Sequence, residues 1–535
     1  MKPNFETLAE IYRYSTKAFA SHIASEFTDG SQRYTYAGFR ESCDNVSRIL
    51  SNFGIGSFDK VAILSENMPN WTISFFSITA FGRIAVPMLA DLSAAEVENI
   101  LAHSDAKAIF ISKAQFSKLS PERIEKLLLV IDIEDFSFLK VNGDAYTCDG
   151  EAAMPMPMDI AAILYTSGTT GNAKGVMLSH KNLCANVLNA YYSFKVSKRD
   201  VFMSILPMAH AYEMSIGVLY PFARGSKVCY IKRAPTPSVL LASLKQVRPT
   251  AMLSVPLIIE KIYKSSIAPT IKKSKFLTFL QKSMPVVLHL LIGFKLRKTF
   301  GGRLKFFGIG GSKLDPTVEA FLKKTGFPYA IGYGLTETAP LICAAPPRKT
   351  KVGSTGRQVP GIQVELRDVN PETGEGEICV KGPIVMLGYY KDYERTKNVL
   401  SQDGWFRTGD LACVDAKGRY SVKGRMGTLI LGASGENIYP EEIEAVINSI
   451  DGVQESLVVK KNGKLVALVQ YNENEIDWNF EHEDKFIEDI EARKAAIIEF
   501  VNSHVSKFSR INSVEVRKEP FIKTATKKIK RFLYE

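Results

Sequence analysis

At 535 residues the chain is too long for one hydrophobic core, so two or more domains are expected. An apolar fraction of 46% beside 23% charged residues excludes a disordered chain. Seven scattered cysteines without a CxxC pair, and seven histidines without metal-ligand spacing, argue against a disulfide framework and against structural zinc.

In chain order, "MKPNFETLAE" has no apolar centre of the kind a secretory signal carries, and a cytoplasmic protein is expected. Short apolar runs follow: "KVAILS" (60–65), "KAIFIS" (107–112), "DIAAILY" (159–165), "VFMSILP" (201–207), "KVCYI" (227–231), "AMLSV" (251–255) and "LKFFGIG" (304–310). Each reads as a buried strand. The stretch "NMPNWTISFFSITAFG" before Arg83 is too short and too polar for a membrane span and reads as a buried helix. Amphipathic segments such as "HKNLCANVLNAYYSF" and "SVLLASLKQV" lie between strands. Continuously apolar strands separated by helices predict an α/β fold with largely parallel sheets covered on both faces. After "GIQVELRD" and "GEGEICVKG" the pattern changes to short hairpin strands with Gly turns. From about residue 426 a smaller α+β unit is expected. Its helix "YPEEIEAVINSI" has acids in the first turn, and strands "ESLVVK" and "KLVALVQY" follow. Beyond them an acidic stretch opens a long helix, and residues 505–535 carry nine cations against three acids.

The net charge of +12 has an address. From Lys261 to Leu314 there are twelve Lys or Arg and no Asp or Glu, a charge equal to the whole excess. The segment contains "MPVVLHLLIGFKLRK". Two readings stay open: a core helix with a solvated basic edge, or a surface that rests on anionic phospholipid or attracts an anionic substrate. The segment lacks aromatic interleaving and a recognition motif, so nucleic acid is not an expected partner.

Residues 165–176, "YTSGTTGNAKGV", place a Gly/Ser/Thr loop directly after a strand. Such a loop can turn backbone N–H groups and hydroxyls towards one point and hold phosphate oxygens, with Lys174 adding a charge. It is not a P-loop, because only Asn172 and Ala173 separate Gly171 from Lys174. Further motifs follow in order: "LPMAHAYE" (206–213), "GIGGS" (308–312), "YGLTET" (333–338), "WFRTGDL" (405–411), "KGRMGTLILGASGENIYPEEIE" (423–444) and "KTATKKIKR" (523–531).

Together these resemble the signature motifs of the adenylate-forming superfamily, over essentially the whole chain and nearest its long-chain fatty-acid–CoA ligases. The resemblance implies a large layered α/β N-terminal domain, residues 1–424, with two mainly parallel sheets and a β-rich subdomain. It also implies a mobile α+β lid, residues 425–535. The implied reaction joins a long-chain fatty acid to ATP, giving acyl-AMP and pyrophosphate, and then passes the acyl group to CoA. Acyl-carrier-protein loading, or ligation of aryl or medium-chain acids, is the alternative.

By the same resemblance Thr166, Ser167, Gly168, Thr169, Thr170, Gly171 and Lys174 surround the phosphates, and Gly310, Gly311, Ser312, Tyr333 and Gly334 line the adenine pocket. Thr336 contacts the α-phosphate, Glu337 with Thr166 holds Mg²⁺, Asp410 and Arg425 bind the ribose, His210 gates the acyl site, and Lys528 is the catalytic lysine. The implied partners are fatty acid, ATP and CoA, with an acyl carrier protein as the alternative acceptor and an anionic membrane as peripheral contact. Three positions depart from the family pattern: Ala173 replaces a proline, Lys527 a glycine, and Gly427 the usual hinge Lys or Asp.

Overall fold

Every strand expected from an apolar run before residue 310 forms, and together they build two sheets. The computed structural model describes residues 4–145, 153–167, 173–232, 236–431, 437–472, 475–476, 478, 483–524 and 528–535. The chain divides into two units. One comprises Met1–Glu365, Cys379–Arg407 and Ala416–Tyr420; the other Leu366–Ile378, Thr408–Asp415 and Ser421–Glu535.

In the first unit an eight-stranded sheet runs in the order Gly388–Tyr389, Ala173–Ser179, Ile160–Ser167, Ile84–Met88, Lys60–Leu64, Ala108–Ile111, Leu129–Asp132, Phe138–Val141. A nine-stranded sheet runs Arg357–Gln358, Leu341–Ala345, Tyr329–Gly334, Phe306–Ile309, Ala251–Ser254, Val201–Ser204, Lys227–Tyr230, Ile23–Phe27, Tyr34–Thr35. Both are parallel in the centre and antiparallel at the edges. The fold is thus α/β, with central strands apolar on both faces because both faces are covered.

The helix Pro69–Thr79 fills the space between the sheets. All its residues are buried, and it touches Lys60–Leu64 and Ile84–Met88 of one sheet and Ile23–Phe27 of the other. Three of its hydroxyls are satisfied within the helix, Ser74, Ser77 and Thr79 donating to the carbonyls of Asn70, Ile73 and Phe75 at 2.9, 2.7 and 2.9 Å, and Thr72 pairs with the Tyr230 hydroxyl at 3.0 Å. A polar-seeded apolar segment can therefore lie in the core with its hydroxyls satisfied.

The apolar run 284–298 forms the helix Pro285–Thr299, and of the two readings left open the core helix holds for one side of it alone. Only Leu288, Gly293 and Leu296 are buried, whereas Val286, Leu290 and Phe294 are 70%, 62% and 71% exposed.

After residue 360 the expected hairpin texture appears as a four-stranded sheet, Gln363–Arg367, Gly376–Lys381, Phe406–Val414, Tyr420–Arg425. The second unit carries an antiparallel pair, Val453–Lys461 and Lys464–Tyr471, joined in parallel by Ser513–Arg517. Helices Pro440–Ile447 and Glu483–His504 cover this sheet through Ile443, Ile447, Ile497 and Val501.

Candidate active site

Lys174 stands on the strand Ala173–Ser179, opposite Thr166 of Ile160–Ser167. Its ammonium donates to Glu337 Oε1 at 2.8 Å and to the Tyr389 hydroxyl at 3.0 Å, and Tyr389 in turn donates to Glu337 Oε1 at 3.0 Å. Burial opposes charge on Glu337, but the Lys174 ammonium and the two hydrogen bonds outweigh it and hold the carboxyl below its usual value. Removing Lys174 would leave a buried carboxylate uncompensated, at a cost of about 3–5 kcal/mol. Close by in sequence, the Thr166 hydroxyl is buried with no hydrogen-bond partner among the described residues. An orphaned hydroxyl and an ionised carboxylate are the donor set that a hard divalent cation with phosphate oxygens takes. Gly168, Thr169, Thr170 and Gly171, like Lys527, lie outside the described residues, so the centre of the loop motif has no geometry here.

Glu337 is held by its backbone as firmly as by its side chain. It sits in the short turn Thr336–Thr338 directly after the strand Tyr329–Gly334. Its carbonyl accepts the Met386 N–H at 2.9 Å. Buried Asn186, on the helix His180–Ser193, donates to the Thr338 carbonyl and accepts the Leu341 N–H, both at 2.8 Å. Ser215 donates to the Ala339 carbonyl at 2.9 Å. Thr336 is half-buried in the same turn, with Tyr333 and Gly334 at the end of the preceding strand. Gly310, Gly311 and Ser312 follow the neighbouring strand Phe306–Ile309, so both Gly-rich motifs emerge from the same ends of parallel strands.

Behind these strand ends lies an apolar cavity, open to solvent, lined among others by Phe194, Phe202, Tyr212, Phe306, Gly308 and Gly332. Phe194 and Phe306 stack within it, with centroids 4.1 Å apart. Tyr212 rather than His210 lines this space; His210 lies two residues earlier, its Nδ1 accepting the Tyr212 N–H at 3.3 Å. The next residue, Glu213, is fully buried. Burial pushes its carboxyl up to about 8, against an opposing hydrogen bond with Ser204, so it is largely neutral at pH 7.

Asp410 and Arg425 meet in the second unit. Asp410 is buried on Phe406–Val414, and Arg425 Nε donates to its Oδ1 at 2.9 Å from the end of Tyr420–Arg425. Lys528 belongs to this unit too. It is exposed, its N–H donates to Thr524 Oγ1 at 3.2 Å and its carbonyl accepts the Thr524 N–H at 2.8 Å. Arg531, three residues on, anchors the tail with hydrogen bonds to both Glu444 oxygens at 2.8 and 3.0 Å and to the Val458 carbonyl at 2.8 Å.

The structure therefore brings Lys174 to Glu337 and Asp410 to Arg425. Sequence reasoning missed Tyr389, Asn186 and Glu213. Glu213 ends a quoted motif, "HAYE", and a carboxylate inside an apolar run was the signal that could have flagged it. Nothing local marks Tyr389 or Asn186.

A family model described as AMP-binding enzyme matches residues 13–390. The peroxisomal long chain acyl-CoA synthetase 7 of Arabidopsis thaliana is 30% identical, over 99% of this chain and 83% of that protein. A chloroplastic long-chain-fatty-acid–[acyl-carrier-protein] ligase of the same plant is 28% identical, over 88% and 77%. Among solved structures, the o-succinylbenzoate CoA synthetase of Bacillus subtilis in complex with its acyl-adenylate superposes with a TM-score of 0.78 at 22% identity, over 98% of each chain. That last likeness is one of fold. With a family match across more than half its length, and a Lys–Glu–Tyr cluster where the signature motifs converge, this chain belongs to the AMP-binding enzyme family.

Proposed function

We propose that the protein is an AMP-forming acid–thiol ligase that activates long-chain fatty acids. A carboxylate oxygen attacks the α-phosphorus of ATP, the bond to the bridging oxygen of the β-phosphate breaks, and pyrophosphate leaves. The CoA sulfur, as thiolate, then attacks the acyl carbon, the carbon–oxygen bond breaks, and AMP departs.

The observation that carries this reading is the apolar cavity behind strand ends that bear Gly310, Tyr333, Thr336 and Glu337. An acid whose tail fills the cavity presents its head group to the phosphate-binding motifs. Each buried methylene contributes about 0.8 kcal/mol, which favours long acids in a graded way. Two anions must meet in the first step, so positive charge has to be in place beforehand. Lys174 supplies one such charge. Glu337 and Thr166 would hold Mg²⁺, which supplies further charge on the phosphates when bound. Asp410 and Arg425 take the ribose hydroxyls. Residues 425–535 act as the lid that delivers Lys528 for adenylation and withdraws it for thioester formation. Tyr212, which lines the cavity, gates acyl entry in concert with His210. Peripheral contact with an anionic membrane belongs to the same reading and rests on the basic segment 261–314. A carrier-protein thiol as acceptor is the second reading, favoured by the similarity to the plant carrier-protein ligase.

Exchange of labelled pyrophosphate into ATP tests this function. It should depend on added carboxylic acid, rise with acid length, and fall by about 10²–10³ in Lys528→Ala. In that variant, thioester formation from supplied acyl-AMP should survive. No exchange with any acid contradicts the reading. Equal loss of both half-reactions contradicts the role of Lys528, and turnover with a carrier protein but not with CoA favours the second reading.

A further inference from the structure

The helix Pro285–Thr299 has two apolar stripes. Ile292 and Leu296 pack on the core cluster of Phe300, Phe307 and Phe321, and Leu288, four residues before Ile292, is buried on the same side. Val286, Leu290 and Phe294, also four apart, fall on the opposite side and are exposed. The preceding helix, Lys275–Ser283, continues the outer stripe with Phe276 and Phe279, 66% and 60% exposed. Gly293 fixes the orientation: a Cβ there would overlap the Thr325 carbonyl. The helix therefore lies close on its neighbour, with its outer stripe turned away from the core. A helix apolar on two opposite sides is not finished by folding alone.

The charges around this stripe narrow what completes it. Lys272 and Lys273 at the end of the preceding helix Ala268–Lys273, and Lys275, Lys282, Lys295 and Lys298 on the same two helices, are exposed, in a segment with twelve cations and no acid. A second copy of the same surface would place cations against cations. An apolar stripe carried by an acid-free, lysine-rich segment complements one partner: the headgroup and upper acyl layer of an anionic bilayer.

We propose that the hairpin Lys275–Thr299 is an interfacial anchor, with Phe276, Phe279, Val286, Leu290 and Phe294 entering an anionic phospholipid surface and the lysines lying against its headgroups. The inference deepens the membrane contact in the proposed function and adds where docking stands relative to the acyl cavity. Along Phe306–Ile309 side chains alternate: Phe306 and Gly308 face the cavity, while Phe307 and Ile309 face the cluster beneath Pro285–Thr299. The anchor thus lies across the nine-stranded sheet from the cavity and does not line it. Docking holds the protein at the surface without shaping the acid's pocket, so membrane binding and catalysis separate by mutation.

Co-sedimentation of the full-length protein with vesicles provides the test. Vesicles of phosphatidylcholine mixed with phosphatidylglycerol should bind it, pure phosphatidylcholine vesicles should bind it weakly, and added salt should reduce binding. The double variant Leu290→Ser/Phe294→Ser should bind the anionic vesicles at least about tenfold more weakly. Its pyrophosphate exchange with a water-soluble acid should equal that of the parent, which also reports folding. Lys275→Gln/Lys282→Gln/Lys298→Gln should lose the preference for anionic lipid while keeping the same exchange. Failure of the parent to bind, equal binding by the Ser variant, or a dimer that the Ser variant dissolves would each overturn the proposal. Vesicle binding needs no turnover, so loss of the anchor leaves the ligase reading standing, and a silent exchange assay leaves the anchor standing.

Discussion

Glu337 shows how three residues from distant parts of the chain settle one proton. Burial alone would raise its carboxyl, but Lys174 and Tyr389 bring it below the ordinary value. Because its folded value is depressed, the ionised form persists down to that value and is lost as pH falls through it. Tyr389→Phe removes one hydrogen bond to the charged form, so the acid limb of the adenylation pH profile should move up by about one unit. A profile identical to the parent's would show that Tyr389 only packs. Glu213 runs the other way. Its value is raised to about 8, so between the ordinary carboxyl value and about 8 the folded form holds a proton that the unfolded chain has released. Stability therefore falls as pH rises through that window. The groups closest to it electrostatically, Tyr212 and Tyr230, are themselves pushed up by burial and stay neutral there. Glu213→Gln should flatten the fall in denaturation midpoint between pH 5 and pH 8, whereas an unchanged slope would place the titration elsewhere, Glu444 being next with its raised value of about 7. The pairings of Lys174 with Glu337 and of Asp410 with Arg425 join residues that the motifs had singled out. Tyr389 was not legible in the sequence, since it reaches Lys174 from 215 residues away and a Gly-Tyr pair says nothing locally about what it faces.

At the scale of elements, strands were read well wherever burial on both faces made them continuously apolar. The helix Pro285–Thr299 shows the limit: its apolar residues occupy two faces, and no sequence pattern says which face has a partner. The helix Pro69–Thr79 succeeded because Ser74, Ser77 and Thr79 each find a carbonyl one turn back. The turn Met426–Thr428, directly after Arg425, carries the hinge expectation. A Cβ added at Gly427 meets nothing within 4 Å, and the residue is not among the glycines of positive φ. Gly427→Ala should therefore fold normally and gain about 0.4–1 kcal/mol from a less flexible unfolded chain. If the turn is also the hinge, the ratio of adenylation to thioester-forming rates should change. A destabilised variant would contradict the open geometry, and an unchanged ratio would move the hinge elsewhere.

For the molecule as a whole, the layered α/β architecture follows from strand–helix alternation, and the α+β character of the second unit from its hairpin and flanking helices. Segments 366–378 and 408–415 group with the C-terminal residues, a grouping that local pattern does not reveal. Family membership rests on the match over residues 13–390, and in the proposed function the apolar cavity with its aromatic walls takes the acid's tail. The central claim is that acid and nucleotide are joined through the acid's own oxygen before any thiol arrives. The most direct measurement supplies a long-chain acid carrying heavy oxygen in both carboxylate positions, together with ATP, Mg²⁺ and CoA, and weighs the released nucleotide. The account predicts AMP carrying one heavy oxygen atom, because the anhydride oxygen comes from the carboxylate and stays with phosphorus when sulfur attacks carbon. Unlabelled AMP, or ADP with the label in inorganic phosphate, would contradict it.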